Sequence, residues 1–207
     1  MKNNTCFVKK NMVYFNPNKK EGFLMKLYVI RHGQTDWNLA QRTQGKTDIE
    51  LNETGIEQAR KAKEEINKHN IDLIYCSPLK RAKKTAEIIN EDKKCNIIYD
   101  VALEERGFGD FEGKNRDEIE KLSDDWEKIH NYKINSNKRN VEPIKDVCCR
   151  VWNLLDNMKN ENKDILIVTH AGICRIINAY FNGIGEDGKV VSSKMEMVKL
   201  ENLNFKI

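Results

Sequence analysis

The chain has 207 residues, enough for one α/β domain with a sizeable core and small for two. Charged residues make up 33% of it, but the net charge is only +4 and both signs are scattered, with no basic stripe of the kind that follows a nucleic-acid backbone. No apolar run approaches the roughly 20 residues needed to cross a bilayer, so neither nucleic acid nor a membrane is expected as a partner.

The first 22 residues, "MKNNTCFVKKNMVYFNPNKKEG", are rich in lysine and asparagine and lack the uninterrupted apolar segment of a signal peptide. They are expected to form a poorly ordered extension, with one domain running from 23 to 207 and Met25 as an alternative start. Phe23–Ile30 is apolar at nearly every position, as in a strand covered on both faces. Thr54-Gly55-Ile56-Glu57 has a capping-box pattern, and the following "IEQARKAKEEINKH" has helical spacing. Ile71–Cys76 is a second short strand. Ser77-Pro78 offers an N-cap and a first-turn proline for a helix through "LKRAKKTAEII".

Asn96–Leu103 is predicted as a third strand and Lys114–His130 as a charged helix. The polar connection 136–142 is expected to be mobile. Pro143 opens a helix with Val147, Val151, Leu154, Leu155 and Met158 on its apolar face. Ile165–Thr169 is the most aliphatic strand. Gly172–Phe181 is a helix, and the tail from Met195 to Ile207 is β-like. Strands alternating with helices imply a three-layer α/β/α sandwich around a mostly parallel sheet.

Of the six cysteines, none falls in Cys-x-x-Cys spacing, and the adjacent Cys148 and Cys149 suit neither a disulfide framework nor a tetrahedral metal site. Reduced thiols in a cytoplasmic protein are the expectation. Trp37, Trp126 and Trp152 read as packing residues. His69 ends a helix, where a positive charge suits the dipole. His130 is expected on the surface.

Three apolar runs stop abruptly at polar residues. The first ends at Arg31-His32-Gly33, the second at Ser77-Pro78-Leu79-Lys80-Arg81, and the fourth at His170-Ala171-Gly172. In a parallel sheet these ends share one edge, where ligands bind. Arg31, His32, Arg81 and His170 can therefore converge, with helix N-termini at Ser77 and near Gly172 adding positive dipole ends. Such a pocket suits a dianion, since guanidinium forks match phosphate oxygens, and the permanent positive charges disfavour a bound metal. His32 can attack phosphorus if its other ring nitrogen donates to a backbone carbonyl. "ALEERGFGDFEG" supplies Glu104, Glu105, Asp110 and Glu112 as possible acids for the leaving oxygen, and spacing does not choose between Glu104 and Glu105.

"RHGQTDWN", "SPLKRAKKTAE", "LEERGFGDFEG" and "VTHAG" together resemble the four signatures of the histidine phosphatase superfamily, also called phosphoglycerate-mutase-like, over about Met25 to Asn182. The resemblance implies that His32 is the phosphorylated nucleophile. It also implies that Arg31, Arg81 and His170 hold the phosphoryl group, and that Glu105 rather than Glu104 is the acid. By the same resemblance Asn38, Gln44 and Gly45 touch substrate, and no metal or organic cofactor is needed. Arg31, Arg81 and His170 thus count as both catalytic and substrate-binding.

Two fates are open to a phosphohistidine: transfer to water or to an acceptor hydroxyl. "Asp-Phe-Glu-Gly" at Asp110–Gly113 looks like the phosphatase branch, which includes α-ribazole and broad-specificity phosphatases. Phe108 stands where the mutases carry a tyrosine, and the expected Arg-Arg pair is absent. Arg106, Asn115 and Arg116 do match mutase positions. The family's Gly-Glu-Ser is Val141-Glu142-Pro143 here, which removes the pattern that would assign Glu142 to substrate. A phosphomonoesterase acting on a small phosphorylated metabolite is the leading expectation. A phosphoglycerate mutase and a catalytically silent phospholigand-binding protein are the alternatives. The sequence leaves both the substrate and the choice of monomer or homodimer open.

Overall fold

The computed structural model describes residues 25–122, 130–133, 138–185, 188 and 190, together with the backbone of 201–204. The expected N-terminal extension, the first two residues of the expected first strand, Trp126 and most of the C-terminal tail lie outside them.

Four strands are parallel: β1 (Lys26–Arg31), β2 (Leu73–Cys76), β3 (Asn96–Tyr99) and β4 (Ile165–Thr169). A fifth, β5 (Glu201–Asn204), pairs antiparallel with β1, and the order across the sheet is β3-β2-β4-β1-β5. The central strand β4 reads ILIVT and is buried at all five positions, as expected of a strand flanked and covered on both faces.

Side chains alternate between two cores. Leu27, Val29, Leu73, Tyr75, Ile165 and Ile167 face one side; Tyr28, Ile30, Ile74, Cys76, Leu166 and Val168 face the other. The first side is covered by the helices numbered here α5 (Ile144–Met158) and α6 (Ala171–Asn182). Helices α2 (Glu53–Ile66) and α3 (Lys80–Lys93) cover the second. This is the expected three-layer α/β/α sandwich. Short α1 (Asp36–Leu39) and α4 (Arg116–Leu122) lie in the connections. Phe111, Ile119 and Val141 form a small separate cluster.

The helices follow their apolar spacing. In α2, Gly55, Ala59, Ala62 and Ile66 are buried; in α5, Ile144, Val147, Cys148, Val151, Leu154, Leu155 and Met158 are. Each fully buried aliphatic side chain contributes about 1.5–3 kcal/mol.

Several boundaries differ from expectation. The cap of α2 is Asn52, whose Oδ1 accepts from the Gly55 N–H at 2.9 Å; asparagine at that position outcompetes the expected Thr54 pattern. Helix α3 begins at Lys80, with Leu79 rather than Ser77 at the N-cap position. Strand β3 stops at Tyr99: Asp100 Oδ1 accepts from the Ala102 N–H at 2.7 Å and starts a 3-10 turn over Val101–Leu103. Helix α4 starts two residues later than expected, and residues 123–129 are not described. Within the connection expected to be mobile, Lys138–Asn140 form a 3-10 turn, and Asn140 Nδ2 donates to Asp110 Oδ1 at 2.9 Å.

Candidate active site

The carboxyl ends of β1, β2 and β4 lie side by side, because β4 pairs with both of the others. His32 follows β1 and His170 follows β4, and their rings come together with centroids 5.0 Å apart and planes inclined by 60°. That separation is about the width of one phosphate. Both rings are almost fully buried.

His32 is held through one ring nitrogen. Its Nδ1 lies 2.7 Å from the Gly33 carbonyl oxygen. A carbonyl can only accept, so Nδ1 carries the hydrogen and Nε2 keeps its lone pair. Burial, then the charges of Arg81 and Arg31, hold the His32 pKa well below the usual imidazole range, so the ring is neutral at pH 7. The loop that carries it is locked by backbone contacts. The Gly33 N–H donates to Thr85 Oγ1 at 3.1 Å, and Thr85 Oγ1 donates to the Arg81 carbonyl at 2.8 Å. A Cβ on Gly33 would stand 2.4 Å from the Gly55 carbonyl oxygen, so the close approach of this loop to the first turn of α2 requires glycine.

His170 Nε2 lies 2.8 Å from Ser77 Oγ, which also accepts from the Leu79 N–H at 3.3 Å. Ser77 thus serves the second histidine instead of capping α3. His170 Nδ1 is buried and has no hydrogen-bond partner. The His170 pKa is also well below its ordinary value, through burial first and then Arg81, His32 and Arg31.

Arg81 is fully buried. Its two terminal nitrogens donate to the carbonyls of Thr47 and Gly45 at 2.8 and 2.7 Å, so it braces the 44–47 loop, while its Nε has no partner. Burial brings its pKa down to about 10, and it stays charged. Arg31 also has a buried Nε without a partner. Gln44, 9% exposed, presents a buried unpaired Oε1 beside Gly45, whose φ of +57° is left-handed. Asn38 Oδ1 accepts from the Thr35 backbone N–H and hydroxyl, both at 3.2 Å, so its carbonyl is committed to α1.

The two neighbouring glutamates separate in space. Glu105 Oε2 accepts from the Gly172 N–H at 3.1 Å and Oε1 from the Arg106 N–H at 2.9 Å. Its carboxylate is therefore tied to the start of α6, right after His170. Glu104 instead faces Lys46 Nζ at 3.7 Å. Glu112 is a loop organiser, accepting from the N–H groups of Lys46, Thr47 and Phe108. Asp110 accepts from Asn140.

The helix N-termini do less than expected. The first N–H of α3 donates to Asp48 Oδ1 at 2.7 Å, and the Gly172 N–H of α6 goes to Glu105. His130 is another correction: it is half-buried, not exposed, with its ring 6.0 Å from that of Phe108. Asn115 Oδ1 caps α4 by accepting from the Glu118 N–H, and Arg116 pairs with Glu120 on the surface. Trp37 lies against Gly113, and Trp152 donates to the Ile176 carbonyl and stacks with Tyr132.

Sequence reasoning missed Arg150. It reaches from α5 to donate to the carbonyls of Ala102 (2.6 Å), Glu104 (2.9 Å) and Glu105 (3.4 Å), and to the Glu142 carboxylate at 3.0 and 3.2 Å. Glu142 also accepts from the Gly107 N–H at 3.0 Å. Both residues hold the segment that carries Glu105. The signal was an arginine within the apolar spacing of α5, three residues after Val147.

Two histidines with ring centroids 5.0 Å apart, the buried Arg81 and half-buried Arg31, each with an unpaired Nε, and a tethered carboxylate gather at one edge of the sheet, an arrangement that can hold a phosphoryl group. The profile of the histidine phosphatase superfamily (branch 1) matches residues 27–193, and the chain belongs to that family. It is 39% identical to the uncharacterized phosphatase PhoE of Bacillus subtilis, with 86% of each chain covered. It is 32% identical to phosphoglycerate mutase-like protein 4 of Arabidopsis thaliana, over 72% of this chain and 68% of that one. The phosphoserine phosphatase of Entamoeba histolytica, solved in complex with 3-phosphoglyceric acid, superposes with a TM-score of 0.70 at 31% identity, covering 86% of this chain and 89% of that one.

Proposed function

We propose that the protein hydrolyses phosphomonoesters of a small metabolite through a phosphohistidine on His32. The observation that carries this reading is the Nδ1–H of His32 held by the Gly33 carbonyl at 2.7 Å, in a ring 5.0 Å from that of His170.

In the first step His32 Nε2 attacks phosphorus, and the bond from phosphorus to the ester oxygen breaks. Glu105 gives its proton to that oxygen as it leaves. Arg31, Arg81 and His170 stabilise charge on the equatorial oxygens. In the second step water attacks the phosphohistidine, Glu105 takes a water proton, and inorganic phosphate leaves with Nε2 restored. Asn38 through Nδ2, Gln44 and Gly45 border the substrate. No residue role here calls for a metal.

His32→Ala is expected to abolish release of inorganic phosphate from p-nitrophenyl phosphate and from sugar phosphates; unchanged turnover ends this reading. Glu105→Gln should slow an alkyl phosphate more than p-nitrophenyl phosphate, because a phenolate leaves with less protonic help.

The mutase reading has a mutase-like relative behind it. It predicts interconversion of 2- and 3-phosphoglycerate, stimulated by 2,3-bisphosphoglycerate, with little phosphate released. Arg116, one of the basic residues at a mutase position, is occupied by Glu120 on the surface, which favours hydrolysis. Cys76 and Cys95 donate their thiol hydrogens to the carbonyls of Ser77 and Ile71, both at 3.1 Å. Reduced thiols fit a cytoplasmic setting. Among the described residues no helix is long and apolar enough to cross a membrane.

A further inference from the structure

Gln44 and Gly45 are buried beside the site, and a loop that buries backbone must find partners for its peptide groups. Two charged side chains supply them from opposite sides. Arg81 Nη2 donates to the Gly45 carbonyl at 2.7 Å, and Nη1 to the Thr47 carbonyl at 2.8 Å. Glu112 Oε1 accepts from the Lys46 N–H at 3.0 Å. Its Oε2 accepts from the Thr47 N–H at 3.0 Å and from the Thr47 hydroxyl at 2.5 Å. The peptide group joining Gly45 to Lys46 thus has its carbonyl on a guanidinium and its N–H on a carboxylate. Each end of that dipole meets the opposite charge, which makes both hydrogen bonds charge-assisted.

The grip is close. A Cβ on Gly45 would stand 2.0 Å from Glu112 Oε1, so glycine is needed there for the carboxylate as well as for the left-handed φ. Oε1 also accepts from the Phe108 N–H at 2.9 Å, which fills the four acceptor positions of the carboxylate. The Glu112 charge reaches Arg81 itself. There burial lowers the guanidinium pKa, and Glu105, Asp48 and Glu112 oppose the lowering. With both terminal nitrogens on the loop, Arg81 keeps only Nε unpaired. Which way Nε points is decided by the two carbonyls that hold the fork, and the loop bearing those carbonyls is fastened by Glu112.

We infer that Glu112 is a positioning residue for the phosphoryl site: through the 45–47 backbone it keeps the Arg81 fork on the loop and leaves Nε to meet an equatorial oxygen. Its own oxygens are spent on the loop, so it acts on every ester alike, whatever the leaving group. This deepens the phosphatase reading and rests on it for its catalytic consequence.

Glu112→Gln tests this, because it keeps the size but turns an amide donor toward N–H groups. We expect kcat to fall by about tenfold or more on both p-nitrophenyl phosphate and an alkyl phosphate, by the same factor within about threefold. Orthovanadate, which mimics the five-coordinate transition state, should bind about tenfold more weakly, and inorganic phosphate should lose less. In an Arg81→Met background, Glu112→Gln should weaken orthovanadate by less than about twofold further, since the group it positions is gone. If Glu112→Gln does not fold, Glu112→Asp carries the same test, with a smaller loss. Activity and orthovanadate affinity within about twofold of wild type, or losses that add fully to those of Arg81→Met, overturn the proposal. So does a loss confined to the alkyl ester, which would place the effect at Glu105 through the Phe108 N–H. Orthovanadate binding is read without turnover. If it depends on Glu112 and Arg81 as stated but no ester is hydrolysed in a His32-dependent way, the phosphatase reading fails and the positioning of Arg81 stands. If His32-dependent hydrolysis is present and orthovanadate ignores Glu112, the positioning alone fails.

Discussion

Gly172 shows how closely the Glu105 carboxylate is seated. A Cβ there would stand 2.4 Å from Glu105 Oε1 and 3.3 Å from Oε2. In Gly172→Ala the carboxylate must move, because it is the mobile party against the backbone of α6. Misplacement by about 1 Å can cost roughly a hundredfold in rate. We expect kcat for an alkyl phosphate to drop by about ten- to a hundredfold, with a smaller loss on p-nitrophenyl phosphate and little change in Tm. Equal losses on both esters would point to damage beyond the acid. The sequence could place this glycine after His170 but not its reason, since Glu105 lies 67 positions away. The same limit applies to Ser77. A serine before proline reads as a cap, and only the fold brings His170 close enough to take its hydroxyl.

At the scale of elements, hydrophobic period was enough to find β1, β2, β4, α5 and α6, because each buries a continuous face. Ends were harder, since they depend on which side chain takes which orphan N–H, as Asn52 and Asp100 do. The tie between α5 and the Glu105 segment was invisible locally: Arg150 satisfies three carbonyls and a carboxylate from elsewhere in the chain. Arg150→Met would leave these acceptors half-buried and unmatched. We expect about 3 kcal/mol of lost stability in urea unfolding, together with a fall in kcat as the Glu105 segment loosens. A variant that is destabilised but keeps full kcat would show that the segment holds itself.

Over the whole molecule, burial of the histidines ties stability to pH. His32 and His170 are neutral when folded, with pKa values far below the 6.5 of an unfolded imidazole. Between the folded and unfolded values the unfolded chain binds more protons, so folding stability rises with pH in that window. It is fully present above about pH 6.5 and is lost as pH falls below it. Each of the two histidines should remove up to about 1.4 kcal/mol for each pH unit below that point. A thermal-melting series from pH 7.5 to 5 should show this decline, and replacing either histidine should flatten it; an acid-insensitive Tm contradicts the buried neutral state. The order of strands carries one more consequence. β1 and β2 come early in the chain, but neither touches the other in the sheet, because β4 lies between them. His32 and Arg81 therefore follow two strands that do not pair with each other. His170, which follows β4, joins them only once Ile165–Thr169 has been made, so the cluster is incomplete until most of the chain has been synthesised.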